Sequence, residues 1–495
     1  MWNLDIDKVL ELLTYNPKEP LIFSSGLFLF VFLGFLMVYN LVKRKFDLKI
    51  AWVTLFSYYF YYKSSGIFFL LLFFVSVTDF VIGNAIVSRK TQFGKKMLVL
   101  VSVSLHIVLL SYFKYFNFLV ELISSITHSH FEFQHIFLPV GISFYTFQSM
   151  SYIIDVYRGH LQPLKRFVDY TFFASFFPQL VAGPIVRAVD FVPQIYTNNA
   201  VTKEMFGRGV FLIMTGLFKK AIISDYISLN FVDRIFDNPL LYTGFENLMG
   251  VYGYALQIYC DFSGYSDMAI GIALLLGFHF KANFNSPYKS ATITEFWHRW
   301  HISLSTWLKD YLYISLGGNR KGKFRTYLNL FITMLIGGLW HGASLKFVFW
   351  GALHGVALGV HKFCLGLFPK LQATGDKMKW WSKTLGVVLT FNIVCFGWIF
   401  FRAGSFDIGI QVINQIVYSF HPEIIGEFIT GYKYVFSLIV LGYFLHFVPQ
   451  TWEDFSCKTV TKMPVVAQAI LLTLLIVFIF QIKSAVIQPF IYFQF

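Results

Sequence analysis

The sequence predicts an all-α protein that crosses a lipid bilayer many times, and three observations carry that expectation. Of its 495 residues, 56% are hydrophobic and only 13% charged, against about 25% charged in soluble domains. Its 61 Phe, 28 Tyr and 11 Trp exceed what a soluble core of this size holds, and a soluble fold has no means of hiding so much apolar surface. Apolar stretches recur from Leu21 to Phe490 with no long polar interval, so a single membrane domain over residues 1–495 is expected.

In chain order the apolar stretches are Leu21–Val42, Ala51–Tyr62, Ile67–Val87, Met97–Phe113, Ile136–Val156, Tyr170–Val186, Val210–Ile223, Leu248–Tyr259 extended upstream, Met268–Phe280, Tyr327–Leu339, Phe347–Cys364, Leu385–Phe401, Tyr434–Val448 and Val465–Ile482. Several fall short of the roughly 20 residues a helix needs to cross. Some of these read as re-entrant elements, buried in protein where irregular backbone is tolerated. The expectation is about eleven crossings plus one or two re-entrant elements. Phe177–Arg187 holds two prolines and a glycine in an apolar run and predicts a broken helix. Pro369–Lys383, with Lys370, Asp376, Lys377, Lys379 and Lys383, reads as a polar loop before the carboxy-terminal helices of residues 384–495.

Basic clusters set the expected topology. Lys43, Arg44, Lys45 and Lys49 form the first, Arg89, Lys90, Lys95 and Lys96 the second, and Arg158, Lys165 and Arg166 the third. Each lies two apolar segments after the last, which puts all three on one face, cytoplasmic by the positive-inside rule. The loop Arg320–Arg325 belongs to the same face. Tyr327–Leu339 then climbs outward and carries His341 toward mid-membrane or the outer half. The net charge of +14 is accounted for by such loops, and no nucleic-acid partner is expected. Cys260, Cys364, Cys395 and Cys457 show no paired spacing, so neither a disulfide framework nor a zinc motif follows.

The residues able to carry chemistry cluster late in the chain. Glu295–Asp310 reads as one amphipathic helix, with Thr294 as N-cap. Trp297, Trp300, Leu304, Trp307, Leu308 and Tyr311 recur at three- and four-residue steps on one face. His298 and His301 lie one turn apart. Two readings fit: an interfacial helix held by a tryptophan belt, or a re-entrant element whose histidines work. His341 lies between Gly337-Gly338-Leu339-Trp340 and Gly342-Ala343. These glycines let other backbone come close and let the helix bend or break. A neutral, partly desolvated imidazole there is what a general base requires, and a buried histidine bonded to a neighbouring helix is the plainer alternative. His354 and His361, seven apart, read as packing residues; His128, His130 and His135 read as water-facing.

Asp261 and Asp267 flank Gly264 between two apolar segments, and the expected role is capping amides freed at a helix break. Glu295 and His298 have the Glu-x-x-His spacing of di-iron bundles, but those need the motif twice with further carboxylates, so no metal is expected. A Gly-x-Ser-x-Gly elbow and a phosphate-cradling glycine loop are both missing from the sequence.

The run from Phe296 to Arg320, including Trp297-His298-Arg299-Trp300-His301 and Gly317-Gly318-Asn319-Arg320, and its continuation Gly337-Gly338-Leu339-Trp340-His341-Gly342, closely resembles the membrane-bound O-acyltransferase family, most strongly its bacterial alginate O-acetyltransferase-like branch. Asp261–Gly271 and Pro178–Arg187 also resemble it, and the likeness extends over roughly Leu138 to Arg402, the expected catalytic core. The resemblance implies a ring of helices with re-entrant elements around a central tunnel or opposed funnels. It implies that His341 matches the family's essential histidine and His301 its second recurrent polar position. It further implies that Trp340, Trp300, Trp307, His298, Asp261, Asp267 and Asn319 line the tunnel or substrate path. Arg320, Lys321 and Lys323 then either steer an anionic donor or simply set topology. No bound cofactor is implied; acetyl-CoA or another acyl thioester is the donor substrate. The expected partner is an extracytoplasmic acetyltransferase of the SGNH-hydrolase-like type, and the expected place the bacterial inner membrane. Two alternatives stay open: D-alanyl transfer to teichoic acid, and a glycan flippase or transporter without acyl chemistry.

Overall fold

The computed structural model describes residues 6–17, 19–129, 131–197, 200–368 and 379–482, and these are helical, with no β-strand among them. The polar loop expected after Phe368 lies mostly outside the described residues; Lys379 and Lys383 are within them, Lys383 inside a helix. Five helical stretches among the described residues are long and apolar enough to cross a bilayer: Phe46–Ser88, Gln92–Thr127, Leu345–Leu367, Trp380–Arg402 and Val465–Ile482. A sixth arises if Pro422–Gly431 and Lys433–Phe447, bent by 98°, form one span. At 43 residues, Phe46–Ser88 is long enough to contain two crossings, and Gly66 at φ +60° divides it.

The chain forms two compact units. The first comprises residues 1–209 and 268–281. Its framework is α1 (Gly26–Val42), α2 (Phe46–Ser65), α3 (Phe69–Ser88), α4 (Gln92–Leu110) and α5 (Ile142–Arg158). Lys49, counted above with the first basic loop, lies instead in the first turn of α2 and is buried. The broken helix expected at Phe177–Arg187 is present: Phe177–Leu180 forms a single turn, and irregular backbone leads to a new helix at Ala188. The apolar stretch Tyr170–Val186 is thereby corrected from a single span, because Phe167–Ser175 ends where the Phe176–Pro178 stretch turns away. α5 packs against both α3 and α4. Between α3 and α4 Asp79 is sealed at 0% exposure; its two carboxylate oxygens accept from Ser102 Oγ at 2.7 Å and meet His106 Nε2 at 2.9 Å.

The second unit comprises residues 210–267 and 282–495. α6 (Lys203–Leu217) widens into π-helical turns at Phe218–Ser224 and Ser228–Val232. α7 (Gly244–Leu275) is one uninterrupted helix of 32 residues, so the break expected around Gly264 does not occur. Gly264 is there for close approach: a Cβ on it would stand 2.7 Å from the carbonyl oxygen of Gly216. Beyond lie α8 (Ile293–Arg299), α9 (Ile302–Trp307), α10 (Gly322–His341), α11 (Leu345–Leu367), α12 (Trp380–Arg402), α13 (Lys433–Phe447), α14 (Gln450–Lys462) and α15 (Val465–Ile482). α10 and α11 form a tight antiparallel pair. A Cβ on Gly338 would lie 2.3 Å from the Phe347 carbonyl oxygen, and one on Gly351 would lie 2.5 Å from that of Met334. Small residues thus bring the two backbones together, as membrane helices commonly do.

Removing the Asp79 carboxylate leaves two buried polar groups without their shared acceptor. Asp79→Ala is expected to destabilise the protein by about 3 kcal/mol, read as a lowered melting temperature of the detergent-solubilised protein.

Candidate active site

The stretch expected to be one helix is two, and the break is its defining feature. Thr292, not Thr294, caps α8: its side chain accepts from the Glu295 amide at 3.1 Å. Thr294 Oγ1 instead hydrogen-bonds His361 Nδ1 at 2.8 Å. α8 ends at Arg299, Trp300 is extended, and His301 adopts the left-handed conformation with φ +43° and ψ +54°. That conformation costs a residue with a Cβ on the order of 1–2 kcal/mol, so the surroundings must hold it. α9 then starts at Ile302 and passes into a π-helical turn at Leu308–Tyr313. The aromatic and leucine stripe read from the sequence is buried despite the break: Trp297, Trp300, Leu304, Trp307, Leu308 and Tyr311 are all below a tenth exposed.

Asn283 holds the break. Its backbone carbonyl accepts from the Ile302 amide at 2.9 Å. Its side-chain Oδ1 accepts from the Ser303 amide at 3.1 Å and from Ser303 Oγ at 2.8 Å, and it lies 3.3 Å from His301 Nδ1. Its Nδ2 donates to Ser266 Oγ at 3.2 Å. Ser266 and Phe262 are one turn apart on α7 and share a face. Phe262 packs on the His301 ring with centroids 4.6 Å apart.

His341 is the last residue of α10, and Gly342 follows in extended conformation. The chain therefore leaves the helix one residue after the histidine, rather than at the preceding glycine pair. The His341 ring is 3% exposed and lies among Trp340, Trp350 and Phe401, with centroids 5.0, 5.1 and 5.2 Å away. Trp340 also meets His301 at 6.1 Å. The two histidines singled out from sequence therefore meet the same indole, from the end of one helix and the start of another.

Beside them lies a cavity of about 290 Å³, lined among others by Trp297, His298, Ser305, Thr306, Thr333 and Met334. Of the residues expected on a substrate path, only His298 lines it. Trp300 is sealed among Phe284, Phe296 and Trp398, and Trp307 packs on Tyr311. Neither His301 nor His341 is among its lining residues. An aromatic relay stands between: Trp297 packs on Trp350 at 5.7 Å, and Trp350 packs on His341. His354, buried at 0%, fills the space beside these two indoles, as its packing assignment required. Glu295 is engaged by Arg299 and by the Ala291 amide, and among the described residues no three His, Cys, Asp or Glu side chains converge.

Asp261 and Asp267 are ion-pair partners, not helix caps. Lys220 Nζ lies 2.5 Å from Asp261 and 2.7 Å from Asp225, with all three almost fully buried. Lys219 pairs with Asp267 at 2.7 Å. The reason is the unbroken α7, which frees no amides for the carboxylates to cap. Asn319 is exposed, in a turn where Gly317 and Gly318 take positive φ; the buried Asn329 Nδ2 donates to the Gly318 carbonyl at 2.9 Å and holds that turn. Arg320, Lys321 and Lys323 are exposed. The sequence reading missed Asn283, Lys220 and Trp350. Lys220 was findable as a lysine within an apolar stretch that also had to bury Asp261, whereas nothing in spacing ties Asn283 to His301.

Among the described residues, all regular structure is helical, several helices are of bilayer length, and two buried histidines gather on one tryptophan, which fits a membrane protein. The pattern of the membrane-bound O-acyltransferase family matches residues 54–402, and the chain belongs to that family. It is an O-acyltransferase and a multi-pass membrane protein. It is 38% identical to a probable alginate O-acetylase of Pseudomonas putida over 96% of this chain and 100% of that protein. It is 35% identical to a peptidoglycan O-acetyltransferase of Helicobacter pylori over 80% of each. Against a teichoic acid D-alanyltransferase of Bacillus subtilis it is 32% identical, over 54% of this chain and 69% of that one.

Lys220→Met strands two buried carboxylates against each other and is expected to cost about 3–5 kcal/mol. Adding Asp261→Asn to it recovers part of that loss. Thermal unfolding of both purified variants in detergent checks the pair.

Proposed function

We propose that the protein takes an acetyl group from a cytoplasmic thioester, acetyl-CoA or another acyl donor, and moves it across the bacterial inner membrane for O-acetylation of an exopolysaccharide or cell-wall glycan. The meeting of His301 and His341 at Trp340, inside the part of the chain that carries the family pattern, is the observation that supports this most directly. The likeness to alginate and peptidoglycan O-acetylating enzymes over most of the chain supports acetyl over D-alanyl transfer. The proposal takes residues 1–495 as one acyltransferase domain with its core near residues 138–402. In it the shorter helices complete about eleven crossings and the re-entrant elements of the family's ring.

In the proposed reaction His341 removes the proton from an acceptor hydroxyl as its oxygen attacks the thioester carbonyl carbon. The tetrahedral adduct collapses with cleavage of the C–S bond, and the imidazolium returns its proton to the leaving thiolate. General-base assistance is worth roughly 10²–10⁴-fold. The shell of Trp340, Trp350 and Phe401 excludes the water that would otherwise hydrolyse the thioester. Arg320, Lys321 and Lys323, exposed together, attract the anionic donor. The cavity lined by Trp297 and His298 is the donor's nearest approach to the histidines, and in the proposed reaction Trp297 and Trp350, which stand between it and His341, part to let the thioester reach the imidazole. A separate extracytoplasmic acetyltransferase of the SGNH-hydrolase-like type receives the acetyl group and completes glycan modification.

His341→Ala is expected to lower transfer of label from radiolabelled acetyl-CoA to carbohydrate in membrane vesicles by about 10²–10⁴-fold per folded molecule, while the cavity left by the buried ring lowers the melting temperature without preventing folding. Labelling only from a D-alanyl carrier protein would reassign the chain to alanyl transfer. Glycan export without any acyl transfer would make it a flippase.

A further inference from the structure

The hydrogen bonds around Asn283 fix more than a backbone break. A backbone amide can only donate, so the Asn283 atom 3.1 Å from the Ser303 amide has to be its carbonyl oxygen. The opposite amide orientation would set two donors against each other. With Oδ1 so placed, the His301 nitrogen 3.3 Å away faces an acceptor, an arrangement that favours the hydrogen on Nδ1. Ser303 Oγ does not offer an alternative. Its hydrogen goes to Oδ1 at 2.8 Å rather than to His301 Nδ1 at 3.4 Å. Ser266 accepts from the Asn283 amide nitrogen on the α7 side, consistent with the orientation that the Ser303 amide sets. Asn283, His301 and Ser266 are buried, and Ser303 is half-buried.

We propose that Asn283 is a positioning residue that holds His301 as the Nδ1–H tautomer. A neutral imidazole protonated at Nδ1 bears its lone pair on Nε2. His301 then enters the reaction as a hydrogen-bond acceptor, toward a donor group of the substrate other than the hydroxyl whose one hydrogen His341 removes. It does not act through Nε2 as a donor to the oxyanion. The left-handed backbone at His301 belongs to the same device, because the Asn283 carbonyl and side chain together bind both residues that follow it. This inference rests on the proposed acyl transfer and assigns His301 and Asn283 their places within it.

The test uses the full chain in membrane vesicles with radiolabelled acetyl-CoA. Three variants are compared: Asn283→Leu, which removes both the acceptor and the donor; Asn283→Asp, which keeps an acceptor oxygen for His301 and Ser303; and His301→Ala. Asn283→Leu is expected to lower kcat, expressed per folded molecule, by about 10²-fold with the KM for acetyl-CoA unchanged and the folded yield reduced by the lost cap on Ser303, and Asn283→Asp to stay within about tenfold of the parent. The double variant Asn283→Leu/His301→Ala is expected to be no worse than His301→Ala alone, since a residue acting through His301 has nothing left to act on. Full activity in folded Asn283→Leu, or losses that multiply in the double variant, overturns the assignment. Failure of the underlying reading looks different: the parent chain itself transfers no label, or His301→Ala is unimpaired.

Discussion

Charged side chains removed from water must find their partners within the protein, and the buried charges of this chain answer to that demand. A buried ammonium or carboxylate left alone is costly enough to unfold a domain, whereas a fully answered one is tolerated. Lys220 is therefore met by two carboxylates, and Asp79 is met by a hydroxyl and an imidazole. The same demand explains why α7 runs unbroken past two aspartates: the charges are satisfied by lysines, so no backbone has to open to receive them.

The backbone opens where a side chain can cap it from outside. Between α8 and α9 the amides of Ile302 and Ser303 lose their helical acceptors, and Asn283 supplies one oxygen to each. The strain of a left-handed histidine is held in place by that clamp and by the aromatic packing of Phe262. Strain sustained in this way marks places where a side chain is being aimed. What is aimed here is an imidazole that shares Trp340 with a second imidazole from the end of α10. The close packing of α10 on α11, possible only because Gly338 and Gly351 lack side chains at the crossing, fixes where that second imidazole ends up.

Much of this was readable from residue order. The buried face of the Trp297–Tyr311 stretch followed from its spacing, because three- and four-residue steps survive even when a helix is interrupted and resumed. The broken helix after Phe177 followed from its prolines. The break at His301 was not readable, since a sequence of strong helix periodicity gives no sign that an asparagine some twenty residues upstream will cap it. The roles of Asp261 and Asp267 were misjudged for a related reason: a carboxylate beside a glycine is compatible with capping and with ion pairing, and only the neighbouring helix tells which.

Residue order by itself determined the helical class and the membrane setting, because composition and periodicity are local properties that burial in lipid enforces residue by residue. Tertiary structure alone decided that His301 and His341 meet one indole, that His298 rather than Trp300 borders the cavity, and that Asn283 governs His301. These are contacts between segments distant in the chain. They are set by which backbones can approach closely and which buried polar atoms must be satisfied, and neither condition exists until the helices have packed.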